Sequence, residues 1–169
     1  MARFAASAES QAAQPAGAPV TTTFNGYFAA LVAGAANGFV LRRVMLGVRA
    51  GASVPTSQQM TVEIRRQTVR VAGTGFSTVT GSNLELYTTA STISGLDITT
   101  AATAGTTGPT VGNPLHKFTF NTQSTLDIPA ELLEQWTVGV GTANGLAFVN
   151  IGNALPASHL FTISCEWEE

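Results

Sequence analysis

Residues 159–168 form the segment that most constrains the fold, because apolar and polar side chains alternate along it without a break. One parity holds four apolar residues and the other four polar ones: Phe161, Ile163, Cys165 and Trp167 against Thr162, Ser164, Glu166 and Glu168. A period of two is that of an extended strand, whose successive side chains point to opposite faces. The segment is therefore predicted to be a half-buried β-strand with one face in a core.

Further strand patterns occupy much of the remaining chain and are separated by Gly, Pro and Asn residues. Residues 39–49 are apolar on both parities apart from Arg42 and Arg43, which predicts a central strand covered on both sides. Other runs with strand character lie at residues 60–65, 116–121, 136–140 and 146–151. About eight short strands with little helix predict an all-β chain, folded as an antiparallel β-sandwich or a closed barrel.

Two segments depart from the strand pattern. Pro129 followed by residues 130–136, AELLEQW, predicts one short helix with proline at its first position. Residues 1–19 are rich in Ala and are predicted to be a flexible, extended N-terminal arm. Arg3 and Phe4 are expected to anchor this arm on a neighbouring molecule, so its deletion is expected to spare the fold. Residues 20–169 are predicted to form a single domain.

Charge is scarce and nearly balanced, with 8 Lys and Arg against 10 Asp and Glu and a formal net charge of −2. So few cations would release few counterions from phosphate, and nucleic acid is not expected as a partner. No run approaches the roughly 18 consecutive apolar residues of a membrane-spanning helix, and no apolar run typical of a signal peptide occurs. We therefore expect no membrane partner, and synthesis in the cytoplasm.

Residues that could carry catalysis or bind a metal are few and widely spaced. His116 and His159, the two histidines, share the parity of neighbouring apolar residues, which favours positions at the rim of a core. Cys165 is the single cysteine and is expected to be a buried, inert thiol. The carboxylates are expected to be structural, in the exposed face of the helix or in turns: Glu131, Glu134, Asp97 and Asp127. No catalytic, metal-binding or cofactor-binding residue is predicted, and the chain is not expected to be an enzyme.

Five arginines fall in two predicted strands that follow each other in the chain: Arg42, Arg43, Arg65, Arg66 and Arg70. If those strands pair, the arginines form one basic stripe that could meet an acidic partner surface. The other interpretation is an ordinary solvated sheet face. The sequence leaves both open.

The chain resembles the small jelly-roll structural proteins of tailed bacteriophage virions, and capsid decoration or cement proteins in particular. The resemblance lies in a low-charge chain rich in Ala and Thr that presents four segments in this order: LRRVMLGVRAG, TVEIRRQT, PLHKFTFNTQSTLDIPAELLEQW and HLFTISCEWEE. It covers about residues 20–169 and concerns organisation, so it supplies no active-site residues.

The resemblance implies a jelly-roll protein on the outer capsid surface of a virion that stabilises the shell by bridging major capsid subunits. Its partners would be the major capsid protein and further copies of itself, in a homo-oligomer that is a trimer or a dimer. The residues expected at such interfaces are Arg3, Phe4, Phe24, Tyr27, Arg42, Arg43, Arg65 and Arg66.

An alternative function is a receptor-binding or glycan-binding module of a phage tail fibre or baseplate. Aromatic side chains that stack on sugar rings would carry that function. Trp136 and Trp167 lie on apolar parities and are predicted to be core residues, which leaves Tyr27 and Tyr87 as candidates.

Overall fold

The computed structural model describes residues 2–10, 26–51, 54–70, 76–85, 90–100, 111–129 and 136–169. Within these residues the chain is all-β and forms two antiparallel sheets, with no helix. The strands are β1 (Arg3–Glu9), β2 (Tyr27–Val32), β3 (Phe39–Ala50), β4 (Gln59–Gln67), β5 (Phe76–Val79), β6 (Ser82–Asn83), β7 (Gly95–Thr99), β8 (Val111–Asn121), β9 (Leu126–Ile128), β10 (Thr137–Val138), β11 (Gly145–Asn150) and β12 (His159–Glu168).

The strands divide between two sheets of six. Sheet I has the order β10-β3-β12-β1-β6, and β9 also pairs with β3, on the same side as β10. Sheet II has the order β5-β7-β2-β11-β4-β8. The prediction for residues 159–168 is confirmed, because β12 lies inside sheet I between β1 and β3 and its burial alternates along its whole length.

The inner faces of the two sheets share one hydrophobic core. Phe28 of β2 stacks on Phe161 of β12, with ring centroids 4.2 Å apart, and this contact joins sheet II to sheet I. The inner side chains of β12 are almost fully buried, which stabilises the fold by about 1.5 to 3 kcal/mol for each large side chain. Trp167 and Trp136 are both buried, so the prediction that they are core residues is confirmed.

Strands β2 and β11 in the middle of sheet II are buried on both faces. Their outward-facing side chains form a second, smaller apolar cluster: Tyr27, Ala30, Val32, Ala147 and Val149. Phe76 and Ile151 pack against that cluster. These two strands therefore have the continuous apolar character of strands that are covered on both sides.

The prediction that residues 39–49 are covered on both sides is wrong. The register of β3 against β12 shifts because Glu166 pairs with Arg43 while Trp167 pairs with Leu41, which leaves Arg42 as an extra residue. This β-bulge sends both adjacent arginines to the solvent side of sheet I, since neither has a place in the core. The outer face of β3 is consequently charged and partly exposed.

The prediction of a flexible arm over residues 1–19 is wrong for the residues that form β1. Arg3–Glu9 pairs with β12 over its whole length, and on its other side β1 pairs with β6. Phe4 is 1% exposed and stacks on Trp167, with ring centroids 6.1 Å apart, so it anchors its own domain and not a neighbour. The strand hydrogen bonds and this one large side chain offset the entropy cost of ordering the segment. Residues 11–19 lie outside the described residues.

The predicted helix at residues 130–136 lies outside the described residues except for Trp136. Residues 101–110, between β7 and β8, also lie outside the described residues.

Replacing Phe4 with Ala should destabilise the protein by about 3 kcal/mol, because it removes a buried aromatic ring and leaves a cavity beside Trp167. Deleting residues 2–10 should abolish cooperative unfolding, since one whole edge of β12 would lose its partner. Urea unfolding monitored by tryptophan fluorescence measures both effects. The matched control is Val54→Ala, at a side chain that is 77% exposed, which should change stability little. A stable deletion variant with an unchanged midpoint would contradict the placement of β1.

Candidate functional site

The outer face of sheet I is the candidate functional surface. It is formed by the polar parity of β12, by the residues of β1 that alternate with Phe4 and Ala6, and by the outward residues of β3 and β9. This face is wide because β3 and β12 are long strands, paired from Val40 to Ala50 of β3. It is polar because the opposite parity of the same strands fills the core.

Arg43 is the most connected side chain of this face. It contacts both oxygens of Asp127 on β9, with Nε–Oδ1 at 3.0 Å and Nη2–Oδ2 at 2.8 Å, and it reaches Glu166 on β12 at 3.4 Å. The hydrogen bonds from Arg43 lower the pKa of Asp127, and those to Asp127 raise the pKa of Arg43. A single guanidinium thus links three neighbouring strands of sheet I.

The other arginines of this face are also held by carboxylates. Arg49 of β3 reaches over β12 to Glu9 of β1, with contacts of 2.7 and 2.9 Å that raise the pKa of Arg49. Arg42 forms an ion pair with Glu168, with Nη2–Oε2 at 2.8 Å, and the Nε of Arg3 lies 3.7 Å from the other oxygen of the same carboxylate. The face therefore balances four arginines against four carboxylates: Arg3, Arg42, Arg43 and Arg49 against Glu9, Asp127, Glu166 and Glu168.

Small side chains occupy the region between these ion pairs. Ser7 of β1 and Ser164 of β12 face each other, with their hydroxyl oxygens 2.5 Å apart. Ala5 lies beside Glu166, and Gly47 of β3 lies beside Thr162. The result is a strip of mainly small side chains, with Met45 of β3 beside Ser164, and charged side chains that pair with one another flank it.

The outer face of sheet II places its charges differently. Glu63 is 3% exposed and binds Arg65, with Nε–Oε2 at 2.8 Å, and Lys117 at 3.0 Å. Asp97 is 4% exposed and binds Arg70 through both oxygens, at 2.6 and 2.7 Å. The negative charges of these two carboxylates are neutralised by the arginine and lysine side chains that they bind, so this face offers little free charge to a partner.

The basic stripe, one of the two interpretations that the sequence left open, is wrong. Strands β3 and β4 lie in different sheets, so Arg42 and Arg43 are separated from Arg65, Arg66 and Arg70 by the core. Ion pairs neutralise four of the five, and Arg66 instead donates a hydrogen bond to the carbonyl oxygen of Thr137 at 2.8 Å. This last contact joins the end of β4 in sheet II to β10 in sheet I.

Of the predicted interface residues, Arg3, Arg42 and Arg43 come together on the outer face of sheet I. Two predictions fail because the side chain is buried: Phe4 in the core and Tyr27 in the outer cluster of sheet II. Burial and the neighbouring Asp97 raise the pKa of Tyr27 well above its ordinary value. Arg65 is engaged by Glu63, and Phe24 lies outside the described residues, as does Tyr87.

Sequence reasoning did not identify Glu9, Ser7, Arg49, Glu166 and Glu168 as residues of this face. The alternation of residues 159–168 did place the two glutamates outward. The sequence carries no local signal for the contact between Glu9 and Arg49, because only the long-range pairing of β1 with β12 brings these two residues within reach of each other.

Two of the side chains with chemical reactivity, Cys165 and His159, are buried. Cys165 is buried as predicted, and burial raises the pKa of its thiol. His159 is 6% exposed; its Nε2 accepts the Thr56 N–H at 3.0 Å, so its Nδ1 carries the proton and donates to the carbonyl oxygen of Ala157 at 3.1 Å. His116 is exposed and packs its ring against Phe118 and Trp136.

Asp97 lies in β7 and Asp127 in β9, whereas turns were predicted for both.

Within the described residues, no group of three or more His, Cys, Asp or Glu side chains is arranged to hold a metal ion. The same part of the chain contains no helix of the length and apolarity needed to cross a membrane. Glu131 and Glu134 lie outside it.

Comparison of the chain with family models, with curated proteins and with solved structures found no match.

The Asp127 carboxyl should titrate below its ordinary pKa of 3.8, because Arg43 stabilises the charged form. The pair should therefore contribute stability above that pH and lose it as the pH falls through the lowered pKa. NMR titration of the side-chain carboxyl carbon measures the pKa directly. Replacing Arg43 with Gln should move it back toward 3.8, and an unchanged titration in that variant would show that the contact is not formed in solution.

Replacing Glu63 with Gln should destabilise the protein by about 3 kcal/mol, because it leaves the nearly buried Arg65 without its counterion. The matched control is Glu9→Gln, which breaks the exposed pair with Arg49 and should cost little or nothing measurable. Thermal unfolding of both variants at pH 7 tests the difference. Equal losses would contradict the distinction between the two outer faces.

Proposed function

We propose that the two sheets form a jelly-roll β-sandwich. A jelly roll is a long antiparallel hairpin wrapped into two four-stranded sheets, so strands from the two ends of the chain pair in nested order. Four nested pairs occur here: β1 with β12, β2 with β11, β3 with β9, and β4 with β8. The pairs β12–β3 and β11–β4 join them into the two sheets.

The other strands support this interpretation because they only extend the edges. In sheet II, β7 and β5 add beyond β2, and in sheet I, β6 adds beyond β1. Strand β10 pairs with the first two residues of β3, ahead of β9. None of them interrupts the nested order.

We propose that the chain is a structural virion protein that binds the outer surface of a phage capsid and bridges major capsid subunits, as a homo-oligomer. The observation that carries the proposal is the charge-balanced outer face of sheet I. Its arginines and carboxylates are held by each other before binding, so a partner need not order long side chains. Its small central residues allow close approach of another protein surface.

Such a protein would stabilise the capsid shell by mass action. A protein that binds only the assembled shell stabilises that shell in proportion to its occupancy. Bridging contacts repeated on a symmetric lattice strengthen attachment without any single strong site. Extended contact area and a rigid face are therefore the properties required.

A receptor-binding or glycan-binding module of a tail fibre or baseplate is the alternative. Its described tyrosine candidate, Tyr27, is fully buried and unable to stack on a sugar. The burial of Tyr27 therefore favours the capsid function, while the other candidate, Tyr87, lies outside the described residues.

Replacing Ser7 with Arg should weaken binding to capsids at least tenfold, about 1.4 kcal/mol, because a long charged side chain would project from a strip of mainly small side chains. The matched control is Thr119→Arg on β8. Thr119 is also an exposed strand residue, paired by its hydroxyl with that of Thr61, but it lies on sheet II.

Co-sedimentation with capsids that lack the protein measures binding, and the melting temperature of the shell measures stabilisation. The wild type and Thr119→Arg should both bind and raise the melting temperature. Failure of the wild type to bind any shell would refute the capsid function, and equal binding of the two variants would refute the assignment of the face.

A further inference from the structure

Strand β3 has a free edge next to the outer face of sheet I. On the side away from β12, β3 pairs with β10 at Phe39 and Val40 and with β9 from Val44 to Leu46. Beyond Leu46, residues 47–50 have no ladder partner on that side among the described residues. Alternate residues of an unpaired strand edge present their N–H and C=O groups for pairing with another chain.

A groove runs along this edge. It consists of two adjoining cavities of about 260 and 200 Å³ that share Gly47, Thr125 and Thr162. The first lies between residues 47–49 of β3 and a wall formed by Val54, Pro55 and residues 122–125. The second continues over Gly47 toward Met45 and Ser164. The groove thus connects the free edge with the outer face of sheet I.

The wall of the groove is held rigidly by hydrogen bonds. The backbone N–H groups of Thr122 and Gln58 donate to the Gln58 carbonyl oxygen and the Thr122 hydroxyl, at 2.9 and 3.0 Å. The Gln123 side-chain amide donates to the carbonyl oxygen of Pro55 at 2.9 Å. A preformed wall lowers the ordering cost of binding.

Gly47 forms the floor of the groove. Its φ is not in the left-handed region that favours glycine, and it lies inside a central strand, where glycine is weakening. A Cβ at this position would lie 2.9 Å from the hydroxyl oxygen of Thr162, so that side chain would have to shift, whereas its 3.8 Å distance from the hydroxyl oxygen of Thr125 is an ordinary contact. Glycine inside a strand often marks the close approach of another backbone.

The lining determines the chemistry of the occupant. Its residues are hydroxyl, amide or apolar except Arg49, and Glu9 already binds that guanidinium through two contacts. A charged segment would find no free counterion in the groove. Val54 at the rim is 77% exposed and offers an apolar contact.

We infer that the groove receives an extended, uncharged segment of the capsid protein, which adds as a short strand to residues 47–50 of β3 and crosses Gly47 with its backbone. This inference rests on the proposed capsid function and specifies where the partner docks. Main-chain hydrogen bonds provide the affinity in this mode, and side-chain contacts such as that with Val54 provide the specificity.

The test compares the affinity for capsids of Gly47→Val and Val54→Lys with that of two matched controls. Gly112→Val adds the same side chain at a strand glycine with open space around it, and Val140→Lys adds the same charge at another exposed valine. Both groove variants should bind at least tenfold more weakly, and both controls should bind as the wild type does. Val54→Lys keeps the test decisive if Gly47→Val fails to fold. Wild-type binding with unchanged affinity of the folded groove variants would overturn the inference and leave the capsid function standing.

Amide hydrogen exchange of the full chain identifies the occupant. Exchange at the edge-facing amides of residues 47–50 should slow when capsids are added. Protection that instead rises with protein concentration in the absence of capsids would assign the groove to a second copy of this chain and overturn the inference.

A second probe separates this inference from the capsid function. Random seven-residue peptides are selected on the wild-type protein and counter-selected on Val54→Lys. Enrichment of uncharged peptides that slow exchange at residues 47–50 supports the groove even if no capsid binds. Absence of such peptides overturns it.

Discussion

The pairing of β12 with both β1 and β3 is the interaction on which the rest of the structure depends. One face of β12 supplies Phe161 to the contact with sheet II and Trp167 to the contact with Phe4 of β1. Its other face supplies Glu166 and Glu168, which hold the arginines of β3. Core and candidate surface are therefore two sides of the same ten-residue alternation, and a register slip of one residue would exchange them.

The low charge content of the chain agrees with the burial of part of sheet II on both faces. Strands β2 and β11 are covered on both faces, so less of sheet II needs charged residues for solvation. The charges that remain have two different uses. On sheet II, Glu63 and Asp97 are nearly buried and must keep their cations. On sheet I the pairs of Arg43 with Asp127 and of Arg49 with Glu9 are exposed and add little stability, so their main effect is to hold long side chains in place on the surface.

The sequence was informative where apolar and polar residues alternate within one segment. It was not informative where the position of a strand depends on pairing with a strand far away in the sequence. The all-β class, the strand at residues 159–168 and the buried state of Trp136, Trp167 and Cys165 could all be predicted from local pattern. Strand β1 was missed because Ala and Ser give no strong pattern, and its partner β12 lies at the far end of the sequence. The bulge at Arg42 broke the alternation of β3, which made a half-exposed strand resemble a covered one. The supposed arginine stripe failed because it assumed that consecutive strands pair, whereas β3 and β4 belong to different sheets.

The pairing of β1 within sheet I changes how attachment to a partner should work. A free arm would order on binding and would lose about 1 to 2 kcal/mol of backbone entropy per residue at that moment. Here that cost is met during folding, since β1 is already paired and contributes Ser7 and Glu9 to a finished surface. The outer face of sheet I combines residues from the first and last strands, so it exists only when the whole chain has folded. A partner that recognises this face therefore selects folded molecules, and its binding energy adds directly to their stability.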